Sequence, residues 1–387
     1  MKKITVGQKM NKRNMLVFCS VFAGLAIFAF AAYHHQGERD SSHFLKAYPE
    51  KAGGKLDHCA LCHRGGQLEK NGSGAVLGSC QWCHFKYGYD QQGPLAQTLN
   101  AYGRDFLKAG RDADAIAAIA GIDSDGDGFS NMDEIAADRF PGNANDDPKK
   151  TAAPMRVYTR AQLESLPQHT QFLLQNAAKS RDQYAEFTGV PMAALLRDAG
   201  MLPEATGITV FAPDGWSQYH PLRPLDDPAM YHVLGTYPEA AYYFSEKAAA
   251  WCDFISPSCA GRKPGEAIRV PGGLQMIVAL KREGSPLVPA VLSKENKLDG
   301  EGPYRVIVPQ KTPSPPDQPS KAKESGVLWP YRSDWDHNAG SSTRSVTLIR
   351  VEPLPPGTTD IDIAELGWKA SDDAKIVIYG AIAPPHS

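Results

Sequence analysis

Two short motifs constrain this chain more than anything else in it: Cys59-Ala60-Leu61-Cys62-His63 and Cys80-Gln81-Trp82-Cys83-His84. Two thiols three positions apart can form thioethers to the two vinyl groups of one porphyrin, and the next residue offers its imidazole to the iron from the same turn. Cys59, Cys62, Cys80 and Cys83 are therefore expected as covalent anchors of two c-type haems, with His63 and His84 as proximal ligands. The same four cysteines could instead close a zinc ribbon, or pair as disulfides in an oxidising compartment. Neither alternative needs a histidine directly after both pairs. Haem attachment also shapes the fold around it, because the porphyrins supply much of the apolar core. A small helical unit is the expectation for residues 33–140.

The start of the chain bears on where such chemistry would take place. Lys2, Lys3, Lys9, Lys12 and Arg13 precede an uncharged run from Met15 to Ala32, and Ala29-Phe30-Ala31 has the small-x-small form of a cleavage site. Residues 1–32 read as a signal peptide, or as an N-terminal membrane anchor if the run stays uncut. Either reading puts the remainder in the bacterial periplasm, soluble after cleavage or anchored to the inner membrane. There Cys252 and Cys259 could close a disulfide over a short Pro-containing spacer, two buried thiols being the alternative. The net charge of −2 and the lack of a basic stripe argue against a nucleic-acid partner.

A second motif follows the haem segment. Residues 123–134 read DSDGDGFSNMDE, with oxygen donors at loop positions 1, 3, 5, 9 and 12 and glycine at 6. A hard cation takes oxygen ligands that converge from one loop, including a backbone carbonyl at position 7 and a closing Glu. Asp123, Asp125, Asp127, Phe129 (through its carbonyl), Asn131 and Glu134 are thus the expected ligands of one Ca2+. Ser130 stands at position 8, where paired EF-hands carry an aliphatic residue, so a solitary structural site is expected and not half of a sensor. An acidic loop without an ion is the other reading, at the cost of mutual repulsion between its carboxylates.

Apolar spacing predicts a helical stretch within 42–56, with Phe44, Leu45 and Tyr48 on one face. His43 at its start is a candidate distal haem ligand or a solvated histidine, and Met132 is an outside candidate for the same role. Further helices are predicted over 95–109 and 113–120, and 141–156 reads as a polar hinge. Beyond it, 157–385 reads as one mixed α+β, strand-rich domain. Its expected elements are a helix over 190–200 ended by Gly200, and strands at 208–212, 268–270, 274–280, 304–308, 346–351 and 374–379. Residues 311–326 look like a disordered insertion. His169, His220, His232 and His337 lack ligand-like spacing and read as surface or core residues.

Two resemblances have residues behind them. Phe44-Leu45, Tyr48-Pro49-Glu50, Leu56-Asp57, the C-x-x-C-H motifs, Leu99-Asn100, Tyr102-Gly103 and the DSDGDGFSN loop resemble exported bacterial c-type cytochromes that follow their haems with one calcium loop. Thr188-Gly189-Val190-Pro191, Leu195-Leu196, Ala199-Gly200, the segment 211–217 and the run Gly302–Pro309 are similar to the oxidoreductase molybdopterin-binding fold of sulfite-oxidase-type enzymes. Gly300-Glu301-Gly302-Pro303, with two haem motifs, resembles the GEGP-motif dihaem proteins.

The resemblance implies a helical dihaem domain followed by a sulfite-oxidase-like domain. In the enzymes a Cys thiolate a short way before the Gly-Val-Pro turn ligates molybdenum. Here that neighbourhood reads Asn176-Ala177-Ala178-Lys179-Ser180, and no Cys occurs between Cys83 and Cys252. Lys12-Arg13 is also a poor twin-arginine signal. The expectation is a retained fold without molybdenum, serving as a docking module. The haems would then exchange single electrons with a redox protein or a quinol-linked donor or acceptor outside the cytoplasmic membrane. The alternative is a molybdopterin-dependent oxidoreductase that passes substrate electrons to its haems, with Cys252 drafted as metal ligand.

Overall fold

Short helices with polar caps build the first unit. The computed structural model describes residues 39–68, 75–77, 95–178, 182–214, 216–224, 230–235, 237–244, 257–292, 298–317 and 332–384. Helix α1 is Arg39–Ala47, and a short hairpin follows of β1 Gly66–Leu68 and β2 Ala75–Leu77. Next come α2 Ala101–Lys108, α3 Ala113–Ala118 and α4 Asn131–Ala136. Asn100, Asp112 and Ser130 each accept a bond from the backbone amide three positions on, which satisfies a donor that an α-helix leaves open at its start. Phe44, Leu56, Leu61, Tyr102, Phe106, Ile116, Ile119 and Ile135 form the core between them.

Two predicted helices differ in the structure. His43 lies in the middle of α1 and not at a helix start, and Pro49 opens a separate 3-10 turn, Pro49–Lys51. The helix expected over 95–109 is broken into a 3-10 turn, Leu95–Thr98, and α2. Leu99 instead makes a backbone bridge to His63, and Asn100 caps α2. The first C-x-x-C-H motif thus takes up the two residues that would have joined the turns.

Within the stretch expected as a polar hinge, one carboxylate is buried. Asp146 is 2 % exposed and accepts bonds from Lys55 Nζ at 2.7 Å, the Phe140 amide at 3.0 Å and the Thr359 hydroxyl. A buried carboxylate needs such partners to offset its lost hydration. Strand β3 Thr151–Ala152 then leads into β4 Met155–Thr159, α5 Arg160–Ser165, β5 His169–Gln175, β6 Gln183–Pro191, α6 Met192–Asp198, β7 Gly207–Phe211 and β8 Ser217–Pro221. Strands β9 Ala240–Tyr243 and β10 Glu266–Arg269 pair with each other. After them come β11 Ile277–Arg282, β12 Ser285–Pro286, β13 Val291–Leu292, β14 Leu298–Asp299 and β15 Arg305–Ile307. The chain finishes with β16 Leu348–Glu352, β17 Thr358–Thr359, α7 Ile363–Asp372 and β18 Lys375–Gly380.

Two five-stranded sheets carry this half. One runs β12-β11-β6-β5 with β15 also on β11, and the other runs β4-β18-β16-β7-β8. In the second, β16 and β18 are parallel, and α7 lies on the connection between them. Side chains on a strand alternate between faces, so a sheet covered on both sides reads as an unbroken apolar run. Here Ile208, Val210, Ile349, Val351, Ile376 and Ile378 enter the large core shared with the first sheet. Phe211, Leu348, Val377 and Tyr379 point the other way, onto Ala370 and Leu366 of α7. Strand β3 pairs with β17, so the segment after Asp146 is itself part of this packing.

The Gly-Val-Pro stretch also departs from its predicted helix. Val190 and Pro191 end β6, and α6 starts at Met192. A Cβ on Gly189 would stand 2.0 Å from the Val278 carbonyl oxygen, so only glycine lets β6 and β11 approach this closely. Residues 311–317 of the expected disordered insertion are ordered by burial: Asp317 is fully buried, and Ser314 is 6 % exposed. Residues 318–331 lie outside the described residues.

Candidate haem and metal sites

The first C-x-x-C-H motif winds into a 3-10 turn, Cys59–Leu61, that other residues hold by its carbonyls. His58 caps it: Nδ1 accepts from the Ala60 amide at 3.1 Å, which commits that ring nitrogen locally. Asn100 Nδ2 donates to the Ala60 and Leu61 carbonyls at 3.0 and 2.9 Å, and the Asn100 amide donates to the Cys62 carbonyl at 2.9 Å. Gly103 presses its Cα against the same peptide, where a Cβ would meet Cys62 O at 2.1 Å. Cys59, Cys62 and His63 are all half-buried, and Cys62 packs on the helical core. His63 Nδ1 lies 2.8 Å from Thr98 Oγ1.

This arrangement fits a covalently attached haem. Both thiols are on one turn, the imidazole follows at once, and its far nitrogen is held. The Tyr102 hydroxyl is buried with no hydrogen-bond partner among the described residues, and burial with Cys62 nearby pushes its pKa far up. It is a donor beside the motif that a polar group of a bound cofactor would satisfy. His43 is half-buried on α1, next to core residue Phe44, and Met132 is 52 % exposed. Cys80, Cys83, His84 and Cys252 lie outside the described residues, whereas Cys259 is buried in the turn Pro257–Cys259.

The acidic loop brings Asp123, Asp125 and Asp127 together, with one carboxylate oxygen from each within 4.8 Å of the others. Gly126 and Gly128 have φ of +83° and +99°, which lets the chain curl around Asp123. Asp123 accepts amide bonds from Gly126 at 2.7 Å, Gly128 at 2.9 Å and Asp127 at 3.2 Å, and the Gly128 bond leads in holding its pKa low. Other carboxylate oxygens of the loop are unsatisfied. Both oxygens of Asp125, Oδ2 of Asp127 and both oxygens of Glu134 are buried without a hydrogen-bond partner among the described residues. Burial, with the neighbouring carboxylates, pushes Asp125 up to about 6 and Glu134 up to about 9. Oxygens left without donors in this way fit a bound hard cation.

Two loop residues do work that the sequence pattern did not reveal. Asn131 is fully buried; its amide donates to the Ile119 carbonyl at 2.7 Å and to Ser124 Oγ at 3.0 Å, while its oxygen accepts from the Ser124 amide at 3.4 Å. It therefore staples the two ends of the loop together. Ser130 caps α4 and donates to Asp133 Oδ2 at 2.6 Å. The Phe129 amide donates to Asp127 Oδ1, and its ring lies under Lys149 Nζ at 4.8 Å.

In the strand-rich half, Gly300-Glu301-Gly302-Pro303 forms a tight crossing. Gly300 has φ +122°, a Cβ on Gly302 would stand 2.5 Å from Val288 O, and the Gly302–Pro303 bond is cis. Glu301 Oε1 accepts from Arg282 at 2.8 Å and pairs with Arg305 at 3.3 Å, so the glycines bring one carboxylate between two guanidinium groups. Where the enzymes would carry the metal thiolate, Asn176 is fully buried; its amide donates to Asn338 Oδ1 and its side chain to the Pro315 carbonyl. Asp182 accepts from the Ala177 and Asp317 amides, and His337 pairs with Asp317 at 3.2 Å. The Asn338 and Asp182 oxygens are committed to backbone amides, and hard oxygens of this kind are poor donors for a soft metal, so the described residues here do not fit a molybdenum centre. His169, His220 and His232 are buried.

Comparison with protein-family models, with curated proteins and with solved structures found no match.

Proposed function

We propose that this chain is an exported dihaem c-type cytochrome that carries electrons, with a structural calcium site and a strand-rich docking domain that performs no molybdenum chemistry. The observation that carries the reading is the hold on the first motif. Three of its carbonyls, its histidine and its second cysteine are all fixed by the single segment Thr98–Gly103. Cys59 and Cys62 would anchor one haem and His63 would ligate its iron, and Cys80, Cys83 and His84 would do the same for a second. The haems would supply one-electron chemistry when bound, and the chain would orient the imidazole toward the iron. Asp123, Asp125, Asp127 and Glu134 would hold Ca2+ by carboxylate oxygens. Electron donors and acceptors are then redox proteins or quinol-linked enzymes outside the cytoplasmic membrane.

Among the described residues no helix is long and apolar enough to cross a membrane, and the apolar run 15–32 lies outside them. The test is elemental analysis and a haem-stained gel on protein expressed with its own leader. Two covalent haems, about one calcium and no molybdenum per chain are expected. Zinc without covalent haem would overturn the reading, and stoichiometric molybdenum would replace it with an oxidoreductase.

A further inference from the structure

We propose that Thr98 is a positioning residue for the first haem, its hydroxyl fixing the His63 imidazole so that Nε2 meets the iron. The proposal rests on the haem reading above. Nothing in the motif itself points to Thr98, which lies far along the chain. The bridge between His63 and Leu99 brings it there. On either side of that bridge the Arg64 amide donates to the Thr98 carbonyl and the Asn100 amide to the Cys62 carbonyl, both at 2.9 Å. The register of the two segments is therefore pinned, and the hydroxyl cannot slide along the ring.

Thr98 is 1 % exposed, and its Oγ1 is 2.8 Å from His63 Nδ1. An imidazole that ligates through Nε2 carries its proton on Nδ1, so in the haem-loaded chain Nδ1–H donates to Thr98 Oγ1. Such an outer partner sets the ring's orientation and raises its basicity as a ligand. A neutral hydroxyl does so more weakly than a carboxylate. It holds the ring in place without pushing much electron density onto the iron.

Thr98→Val keeps the shape of the side chain and deletes the acceptor, while Thr98→Ser keeps the hydroxyl. In Thr98→Val the potential of one haem should rise and one of the two ferric EPR signals should shift, with the other haem unmoved. Thr98→Ser should restore both. Loss of covalent haem from Cys59 and Cys62 in Thr98→Val alone, regained in Thr98→Ser, would also support the assignment. Wild-type potentials and EPR in Thr98→Val, or equal shifts in both variants, would overturn it. The underlying haem reading fails separately, if peptide mapping of the wild-type chain finds Cys59 and Cys62 without haem.

Discussion

Ser124 Oγ donates to Asp105 Oδ2 at 2.8 Å, and this bond ties the acidic loop to α2, the helix whose Gly103 is pressed against Cys62. The first C-x-x-C-H motif and the proposed calcium site thus share one helix. A cation that orders the loop should also steady the motif. Chelating calcium is expected to lower the melting temperature of the haem-loaded chain and to perturb the Soret band of one haem. In Asp105→Ala the spectral response to chelator should shrink, because the link is cut, and stability should fall by about 1 kcal/mol for the lost bond. Titration with EGTA, followed by absorbance and calorimetry, checks both.

Glu134 gives a prediction of opposite signs. Its folded-state pKa is raised from 4.5 to about 9 by burial and by Asp125, Asp127 and Asp123. A carboxyl with a raised folded pKa favours the fold while protonated, so the calcium-free chain should lose stability as pH climbs from about 4.5 toward 9. Glu134→Gln removes that charge while keeping the shape. It should stabilise the calcium-free chain at pH 8 and weaken calcium binding at least tenfold. Calorimetric titration should also show wild-type calcium affinity rising with pH, since binding must displace the Glu134 proton.

His220 is the counterpart in the strand-rich half. It is 1 % exposed; Nδ1 lies 3.3 Å from the Tyr231 carbonyl, and Nε2 has no hydrogen-bond partner among the described residues. Burial pushes its pKa down from 6.5 to about 4. A histidine depressed in this way contributes stability that is complete above pH 6.5 and lost as pH falls toward 4. At about 1.4 kcal/mol per unit, the loss amounts to about 3 kcal/mol by pH 4. His220→Phe should flatten that limb of the pH–stability curve in urea melts.

The legible parts of this chain were those with local causes. Gly200, with φ +81°, lies just past the end of α6 as the sequence predicted, and β7 and β18 lie within a residue of the strand-like segments 208–212 and 374–379. What stayed hidden depends on partners distant in sequence. Asn100 and Thr98 read as part of a helix because the demand that breaks it comes from Cys62 and His63. Asp146 read as hinge because its partners, Lys55 and Thr359, are far away on either side. Strand β5, HTQFLLQ, gave no alternation to read, as six of its seven residues are buried. In the acidic loop, the spacing pointed to Asp123, Asp125, Asp127, Phe129, Asn131 and Glu134 as ligands, but not to the stapling bonds that Asn131 makes.

Gly103 offers the sharpest mechanical test of the first motif. An alanine Cβ there would stand 2.1 Å from the Cys62 carbonyl oxygen and 2.9 Å from its carbon, both backbone atoms that a rotamer change cannot move. Either α2 shifts away and strains the Asn100 bonds to Ala60 and Leu61, or the turn carrying Cys59 and Cys62 is displaced. Overpacking of this kind costs about 1–3 kcal/mol or more. Gly103→Ala is therefore expected to lower stability by at least that amount and to cut haem attachment at Cys59 and Cys62, as read by haem stain and peptide mass. Gly121→Ala is the control, since a Cβ at Gly121 meets nothing within 4 Å. If Gly103→Ala attaches the first haem as fully as Gly121→Ala does, α2 does not brace the motif in the way the geometry requires.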